Sequence, residues 1–283
     1  MDEPFDLRQV NAAVAETVFA GHLHHVRSTN STNLLALKAA QSGERIGVWI
    51  ADLQVAGRGR GTHVWHSPAG SGLYMTALVA PPIAIQFALS ISVRVAIAVQ
   101  SVLATLYGFS APAQIDIRWP NDLMLCGKDG QSKKVGGILI DTASNPARPD
   151  TPAMLRYAIV GIGINVNHTS FPAELESIAT SIRREMAQSV PLRREPLASA
   201  ILLALNAEIV KLATGDWQLT TDDLSRYSTW IMGKRVRVEA RDGRPGYTGT
   251  TAGLSSGGFL LVNGDDGQLY TVVSGGLREP IEN

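Results

Sequence analysis

Two arginines alternate with three glycines in one short segment, Gly57-Arg58-Gly59-Arg60-Gly61. Glycines let backbone N–H groups converge on an anion, and each guanidinium group offers planar, permanently charged donors for a carboxylate or a phosphate. An apolar run typical of a buried strand, Ile46 to Ala51, precedes the segment, and binding loops usually extend from rigid sheets. We therefore predict a mobile, anion-handling loop at an enzyme active site. A plain exposed turn and an arginine–glycine contact to nucleic acid are the alternatives.

A second polar group, Arg118-Trp119-Pro120-Asn121-Asp122, lies where an alternating strand breaks at a proline. Asp122 could bind Mg²⁺ or a ribose, and Asn121 could contact a base or a phosphate. Taken alone, the pattern favours a turn in which both side chains cap backbone groups. Trp65, just after the glycine loop, is suited equally to covering a flat ligand and to anchoring the loop.

Two further segments combine charge or amide groups with paired glycines, namely Lys133-Lys134-Val135-Gly136-Gly137 and Gly161-Ile162-Gly163-Ile164-Asn165. A lysine at the mouth of a strand is a point charge for phosphate or carboxylate, although a basic hairpin end has the same pattern. Alternate glycines leave one face of a strand open to a flat group. The sequence contains no GxGxxG, P-loop or HExxH motif, so a Rossmann site is rejected.

Composition excludes several classes of protein. Lysine plus arginine equals aspartate plus glutamate at 25 each among 283 residues, so no net charge attracts nucleic acid or anionic membrane. Cys126 is the only cysteine, which rules out an intrachain disulfide and, with no signal-peptide pattern, favours the cytoplasm. The apolar stretch from Ile83 to Tyr107 carries Arg94 near its middle, which favours a core helix over a membrane span.

Strands joined by short turns must position these segments. They are expected at 46–51, 73–79, 115–119, 135–140 and 155–166, and helices at 33–41, 192–212 and 222–231. This order predicts an α+β fold with an antiparallel or mixed sheet and flanking helices, because parallel strands would need longer crossovers. From Gly233 onward, short strands and glycine turns predict a small β-barrel. The predicted parts are an N-terminal extension (1–22), a catalytic domain (23–231) and the barrel domain (232–283).

In this order the motifs resemble the biotin–protein ligase family, also called biotin–[acetyl-CoA-carboxylase] ligases. The resemblance spans residues 23–280 and is carried by Ser31-Thr32-Asn33, Gln54, GRGRG, Trp65, RWPND, KVGGILI, GIGIN and the final Gly275-Gly276-Leu277-Arg278. It implies a class II synthetase-like catalytic core and an SH3-like C-terminal barrel. Too few residues precede the first strand for the N-terminal DNA-binding domain of some members, so a ligase without a repressor role is expected.

The resemblance implies a two-step reaction. Biotin and ATP form biotinyl-5′-AMP, and biotin then passes to one lysine of the biotin carboxyl carrier domain of a biotin-dependent carboxylase. Attack of a carboxylate on a phosphate brings two anions together, which suits the fixed cations Arg58, Arg60 and Lys134. A lipoate–protein ligase-like acyl-adenylate transferase is the main alternative, and a non-catalytic biotin- or carrier-binding descendant is another. No nucleic-acid or membrane partner is expected, and a homodimer stays open.

The resemblance also assigns residues. Biotin contacts are implied for Ser31, Thr32, Asn33, Gln54, Arg58, Gly59, Arg60, Lys134 and Gly137. Contacts to ATP or the adenylate are implied for Arg60, Trp65, Asn121, Asp122, Lys134, Asn165 and Arg278. Arg60 and Lys134 are the implied catalytic residues, and Asp122 the implied ligand of Mg²⁺.

Two features depart from the simplest form of that pattern. The Ser-Thr-Asn motif occurs twice, at 28–30 and at 31–33, and the second is preferred because a helix is predicted to follow it. The family often continues with basic residues after GRGR, whereas here Gly61-Thr62-His63-Val64 follows. We therefore expect the adenylate to be retained more weakly or by a different arrangement.

Overall fold

A computed structural model describes residues 4–146, 152–216, 220–240, 245–255, 257–272 and 276–280 of the chain. Its larger sheet has the strand order β1-β2-β3-β7-β6-β5-β4. These strands are β1 (Leu23–Thr29), β2 (Gly47–Gln54), β3 (Gly72–Val79), β4 (Ile115–Arg118), β5 (Asp122–Cys126), β6 (Ser132–Ser144) and β7 (Leu155–Asn165). β1 and β2 are parallel and all other neighbours are antiparallel, which confirms the predicted mixed sheet.

Seven α-helices are described. They are α1 (Leu7–Ala13), α2 (Thr32–Gln41), α3 (Ala88–Tyr107), α4 (Ala173–Glu176), α5 (Ile182–Glu185), α6 (Glu195–Ala213) and α7 (Thr221–Ser225). The predicted helix over 222–231 is therefore wrong in its second half. Trp230 and Ile231 are buried beside the C-terminal strands, and this packing overrides the helical pattern.

α3 and α6 pack in the main core beneath the larger sheet. Within the described residues both helices, α3 taken with the turn before it, are long and apolar enough to cross a membrane, but much of each is buried in the protein. Arg94 of α3 is buried and forms ion pairs with Glu208 of α6 at 3.1 Å and with Asp216 at 2.7 Å. A buried guanidinium group needs such partners, and these helices have the burial expected of core helices.

The segment predicted as an N-terminal extension is part of this core. Phe5, Val10, Val14 and Phe19 are buried there. Asp6 caps α1 by accepting a hydrogen bond from the backbone nitrogen of Arg8. Residues 4–20 therefore pack on the larger domain, and the apolar spacing of these four residues is the sequence signal for it.

α2 lies against the other face of the larger sheet. Its alanines Ala36 and Ala40 pack with Trp49, Leu78 and Ile159. Side chains this small let the helix axis come close to the sheet. The first turn of α2 is thereby placed directly over β7, where the site begins.

A second sheet of five antiparallel strands has the order β11-β10-β9-β8-β12. Its strands are β8 (Met232–Val238), β9 (Tyr247–Leu254), β10 (Leu260–Gly264), β11 (Leu269–Val272) and β12 (Leu277–Arg278). This arrangement agrees with a small barrel-like domain. The domain boundary at residue 232 stays a prediction, and Gly275 of the final predicted turn lies outside the described residues.

The second sheet packs on the first domain through an apolar cluster. Trp119 lies in this cluster with Val93, Trp230 and Ile231, opposite strand residues such as Val236. Trp119 and Pro120 connect β4 to the Asn121-Asp122 pair. The second sheet is therefore held next to the polar motif predicted for the nucleotide.

Candidate active site

One cleft of about 720 Å³ lies where the larger sheet meets the second sheet. Every residue predicted above to contact biotin or the nucleotide lines this cleft. These residues come from α2, β2, the glycine loop, β5, β6, β7 and β12, which are far apart along the chain. The sequence prediction therefore describes one three-dimensional site, although the role of each residue stays a prediction.

A buried polar pocket forms one end of the cleft. Ser31 precedes α2, and Thr32 and Asn33 are in its first turn, all three buried. The Thr32 backbone nitrogen donates to Oε1 of Gln54 at 2.8 Å. Thr76 Oγ1 lies 2.7 Å from both Thr32 Oγ1 and Asn33 Oδ1. Gln54 of β2 and Thr76 of β3 thus hold Thr32 and Asn33, two of the predicted biotin contacts, in fixed positions.

The structure distinguishes the two Ser-Thr-Asn motifs. Residues 31–33 line the cleft, whereas Ser28 and Thr29 lie in β1 and do not. Among the described atoms, Asn33 Nδ2 is buried without a hydrogen-bond partner. A buried donor of this kind is costly unless a ligand supplies an acceptor.

A pair of facing glycines forms the middle of the cleft. Gly137 of β6 and Gly163 of β7 are paired across the sheet, and the indole of Trp65 lies over them. A methyl group on Gly163 would be 2.6 Å from Trp65 Nε1, and one on Gly137 would be 3.6 Å from its Cζ3. The flat group that lies on this glycine surface is a side chain of the protein itself.

Gly161 serves the neighbouring pocket in the same way. A methyl group there would lie 2.2 Å from Asn33 Oδ1. The alternate glycines of β7 therefore admit two different side chains on one face, Asn33 over Gly161 and Trp65 over Gly163. This explains why the strand carries Gly-x-Gly without belonging to a dinucleotide-binding unit.

The glycine loop folds into a tight hairpin. The Gly59 nitrogen donates to the His63 carbonyl at 2.8 Å, and the Trp65 nitrogen donates to the Gly57 carbonyl at 2.9 Å. A methyl group on Gly57 would lie 2.5 Å from the Trp65 carbonyl oxygen, so a glycine is required for this closure. The loop thus begins and ends at one point beside Trp65.

One arginine of the loop reaches the sheet. Arg58 Nη1 is 3.3 Å from Asp141 Oδ2 on β6, and both side chains are partly exposed. Such an ion pair exchanges readily for another anion. Arg58 is therefore available to a carboxylate or a phosphate that enters the cleft.

Asp122 lies between two cations. Its Oδ1 accepts from Lys134 Nζ at 2.6 Å, and its Oδ2 accepts from Arg118 Nη2 at 2.7 Å. Burial alone would raise the pKa of Asp122, but Lys134 and Arg118 outweigh it and lower the pKa to about 2. Lys134 Nζ is also 5.3 Å from the centre of the Trp65 ring. The lysine that is predicted to contact the anionic substrates is thus held in place.

The surroundings of Asp122 do not fit a resident metal ion. Both carboxylate oxygens already accept hydrogen bonds from cations. Across the residues described, no three acidic, histidine or cysteine side chains come together as a metal-binding group. The predicted Mg²⁺ contact of Asp122 accordingly has no support from its environment.

Two predicted nucleotide residues have structural contacts. Asn121 Nδ2 donates to the Ile138 carbonyl at 2.6 Å, as expected for the turn-capping alternative. Asn165 Nδ2 donates to the Thr180 carbonyl at 3.0 Å. Each amide fixes one wall of the cleft, and its other polar atoms could still meet a ligand.

The second sheet contributes the far end of the cleft. Arg278 Nε donates to Glu239 Oε1 at 3.0 Å, and both residues line the cleft with Leu277. A nucleotide placed along the cleft would thus reach residues of both sheets.

Sequence reasoning missed one wall of the site and two supporting hydroxyls. The wall consists of Phe171, Leu175 and Ile178, whose helical spacing was the available signal. The hydroxyls belong to Ser67 and Thr76, both buried. Thr76 stood out only as a polar residue within an otherwise apolar strand.

A family model for the biotin/lipoate A/B protein ligase family matches residues 24–165. The match runs from β1 to the last residue of β7 and so spans the whole larger sheet. The chain belongs to this family. The resemblance inferred from the sequence motifs is thereby confirmed.

Two individual relatives match this chain over most of its length. A bifunctional ligase/repressor BirA from Bacillus spizizenii is 29% identical over 262 residues, which cover 92% of this chain and 74% of that protein. A biotin--[acetyl-CoA-carboxylase] ligase from Mycobacterium tuberculosis is 31% identical over 254 residues, which cover 89% of this chain and 86% of that protein. Both relatives are therefore similar over nearly all of the present chain.

A solved structure confirms the fold. The biotin protein ligase from Aquifex aeolicus, in complex with biotin and ATP, superposes with a TM-score of 0.70 at 23% identity. The superposition covers 92% of this chain and all of that chain. The fold is thus shared over most of this chain.

Proposed function

We propose that this chain is an ATP-dependent biotin–protein ligase. It activates biotin as biotinyl-5′-AMP and transfers biotin to a lysine of a biotin carboxyl carrier domain. The observation that carries the proposal is one cleft that joins a neutral polar pocket to the cations Arg58, Arg60 and Lys134. The names of the relatives support the same reaction.

In the first step, an oxygen of the biotin carboxylate attacks the α-phosphorus of ATP, and the bond to pyrophosphate breaks. Repulsion between the two anions is the main barrier that the protein can lower. Fixed cations at this point stabilise charge that develops in the transition state. Lys134, held by Asp122, suits this position, and the arginines of the loop suit the approaching carboxylate.

In the second step, the neutral lysine amine of the carrier attacks the acyl carbon, and AMP leaves. Until then the mixed anhydride must be kept from water. The hairpin of residues 57–65 and the indole of Trp65 lie over the cleft and can exclude water there. We propose that Trp65 stays over the glycine surface and packs against the adenylate when the ligand enters.

The pocket chemistry favours biotin over lipoate. Thr32, Asn33 and Gln54 present neutral donors and acceptors in a buried site. A ureido ring, with one carbonyl and two N–H groups, can satisfy such groups, whereas an apolar dithiolane ring would leave them unpaired. We therefore place the family's lipoate branch second.

The test is incubation of the protein with Mg-ATP, radiolabelled biotin and a carrier domain. Labelled carrier and pyrophosphate are expected. Transfer of lipoate but not biotin would instead support the alternative. Binding of biotin without AMP formation would indicate a non-catalytic descendant.

A paired substitution tests the central cation. We predict that Lys134→Ala abolishes biotinyl-AMP formation, because the cleft loses the positive charge of this lysine and Asp122 keeps only Arg118 as a partner. Lys128→Ala is the matched control, since Lys128 is exposed on the hairpin outside the cleft. Adenylate formation by Lys134→Ala at the parental rate would refute the role of Lys134.

Four finer expectations belong to the same proposal. Mg²⁺ is proposed to enter with ATP, since Asp122 offers no preformed site. A cytoplasmic location is proposed, and a homodimer stays an open alternative to a monomer, which sedimentation at several concentrations decides. With no net charge, no affinity for nucleic acid is expected, which an electrophoretic mobility assay checks.

A further inference from the structure

A continuous chain of hydrogen bonds runs beneath the cleft from the polar pocket to the base of the glycine loop. Thr76 Oγ1 contacts both Asn33 Oδ1 and Thr32 Oγ1, and the Thr32 backbone nitrogen donates to Gln54 Oε1. Gln54 Nε2 then donates to Ser67 Oγ at 3.1 Å. Ser67 Oγ in turn donates to the Trp65 carbonyl at 2.9 Å.

Ser67 is the link that leaves the pocket. It is buried and does not line the cleft, so a substrate cannot touch it directly. Its carbonyl also accepts from the Gln54 backbone nitrogen at 3.2 Å. Trp65, whose carbonyl it holds, closes the loop through its bond to Gly57. Ser67 thus connects one pocket residue to the point where the loop begins and ends.

The glycine at the loop base makes this connection tight. A methyl group on Gly57 would lie 2.6 Å from Ser67 Oγ and 3.2 Å from Gln54 Nε2. Little space separates the hydroxyl, the amide and the loop backbone. A shift of Gln54 on ligand binding would therefore move the loop base instead of being absorbed by empty space.

We propose that Ser67 is a positioning residue that couples occupancy of the polar pocket to order in the loop 57–65. A ligand that pairs with Asn33 and Gln54 immobilises the Gln54 amide. Ser67 transmits this restraint to the Trp65 carbonyl and so to the hairpin. The proposal rests on the proposed function, because biotin is the ligand expected in the pocket.

The expected effect is that of one buried hydrogen bond. A single such bond contributes about 1 kcal/mol, with a spread of about half of that. Converted to a ratio, its loss changes the ligand-induced closing of the loop about twofold to tenfold. Cleavage after Arg58 and Arg60 by trypsin measures loop opening, since both bonds lie within the hairpin.

The experiment compares tryptic cleavage of the full chain with and without biotin, for the parent, Ser67→Ala and Ser199→Ala. Ser199 is the matched control, because it is a buried serine on α6 whose hydroxyl has no partner among the described atoms. In Ser67→Ala, the protection from trypsin that biotin gives the loop is expected to be about twofold to tenfold smaller than in the parent. Ser199→Ala is expected to keep it, and Ser67→Thr, which retains a hydroxyl, to recover part of it.

Each outcome decides the matter. Undiminished protection in Ser67→Ala, or equal loss in Ser199→Ala, overturns the coupling. A parent that binds biotin by calorimetry yet gains no protection overturns it as well. A parent that neither binds biotin nor forms biotinyl-AMP refutes the proposed function instead. In that case, tryptic cleavage without ligand tests whether Ser67 holds the loop base. Faster cleavage of Ser67→Ala than of the parent supports this role, and unchanged cleavage refutes it.

Discussion

Replacement of Gly163 by alanine tests whether the place of Trp65 on the sheet matters for catalysis. The new methyl group would lie 2.6 Å from Trp65 Nε1 and 2.7 Å from Cε2. Ordinary contact begins at 3.4 Å. The indole must therefore retreat by about 0.8 Å, the difference between 3.4 and 2.6 Å, or the strand must bend.

The cost follows from crowding of a packed site. Overfilling of this kind typically costs about 1–3 kcal/mol, which corresponds to a factor of about 5 to 150 in an equilibrium. Since Trp65 is bound to the loop base, the same displacement moves the hairpin. We expect Gly163→Ala to lower the kcat/KM for biotinyl-AMP formation within that range.

Gly137→Ala is the matched control. Gly137 faces Gly163 across the sheet, but its added methyl group would lie 3.2 Å from Lys134 Cε and 3.6 Å from Trp65 Cζ3. Lys134 Cε need move by only about 0.2 Å, the difference between 3.4 and 3.2 Å, so a smaller loss is expected. Pyrophosphate release with biotin and ATP provides the assay, and circular dichroism checks the fold. Gly163→Ala with parental kcat/KM, or a loss no larger than that of Gly137→Ala, would refute this reasoning.

The remaining predictions concern charges around the cleft. The pKa of Asp122 is lowered from 3.8 to about 2, so its charge stabilises the fold above pH 4 and this contribution is lost as pH falls toward 2. The difference of 1.8 corresponds to roughly 2 kcal/mol, and urea unfolding at pH 6 and pH 3 should show a fall in stability that Asp122→Asn largely lacks. His168 is buried and its pKa is lowered from 6.5 to about 4, chiefly by burial. It therefore favours the folded state above pH 6.5, and this contribution falls as pH drops through 4; His168→Gln should flatten the pH profile of stability in that window. Asp141→Asn removes the partner of Arg58, and trypsin should then cut the ligand-free loop about twofold to fivefold faster, whereas equal rates would contradict a restraining ion pair.

The site was more predictable than the packing around it. Glycine and charged residues carry their chemistry in the sequence, so Lys134, Asp122 and the GRGRG loop could be assigned to one site. Their partners could not, because Arg58–Asp141 and Lys134–Asp122 are contacts across strands whose register no local pattern specifies. The sequence alone suits Trp65 equally to covering a ligand and to anchoring a loop. Only the structure shows that its indole lies over the glycine pair.

Among the secondary-structure elements, those with a strong local pattern were predictable and those that depend on distant packing were not. Strongly apolar strands such as β3 and β7 were predicted close to their observed bounds. α7 was predicted too long, because the burial of Trp230 against the second sheet depends on a distant partner. The role of α1 was missed because seven residues offer too few turns for a clear helical period.

The position of Trp119 has a consequence for how such a protein can be divided. Arg118 precedes Trp119 in the chain and Asp122 follows it three residues later. The indole of Trp119 is buried against the second sheet. Removing the C-terminal strands would therefore expose a large aromatic surface and release the backbone that spaces the two members of an active-site ion pair. The C-terminal strands thus support the segment that carries Arg118 and Asp122, and an exchange of either part with that of a relative is expected to need compensating substitutions where Trp119 packs.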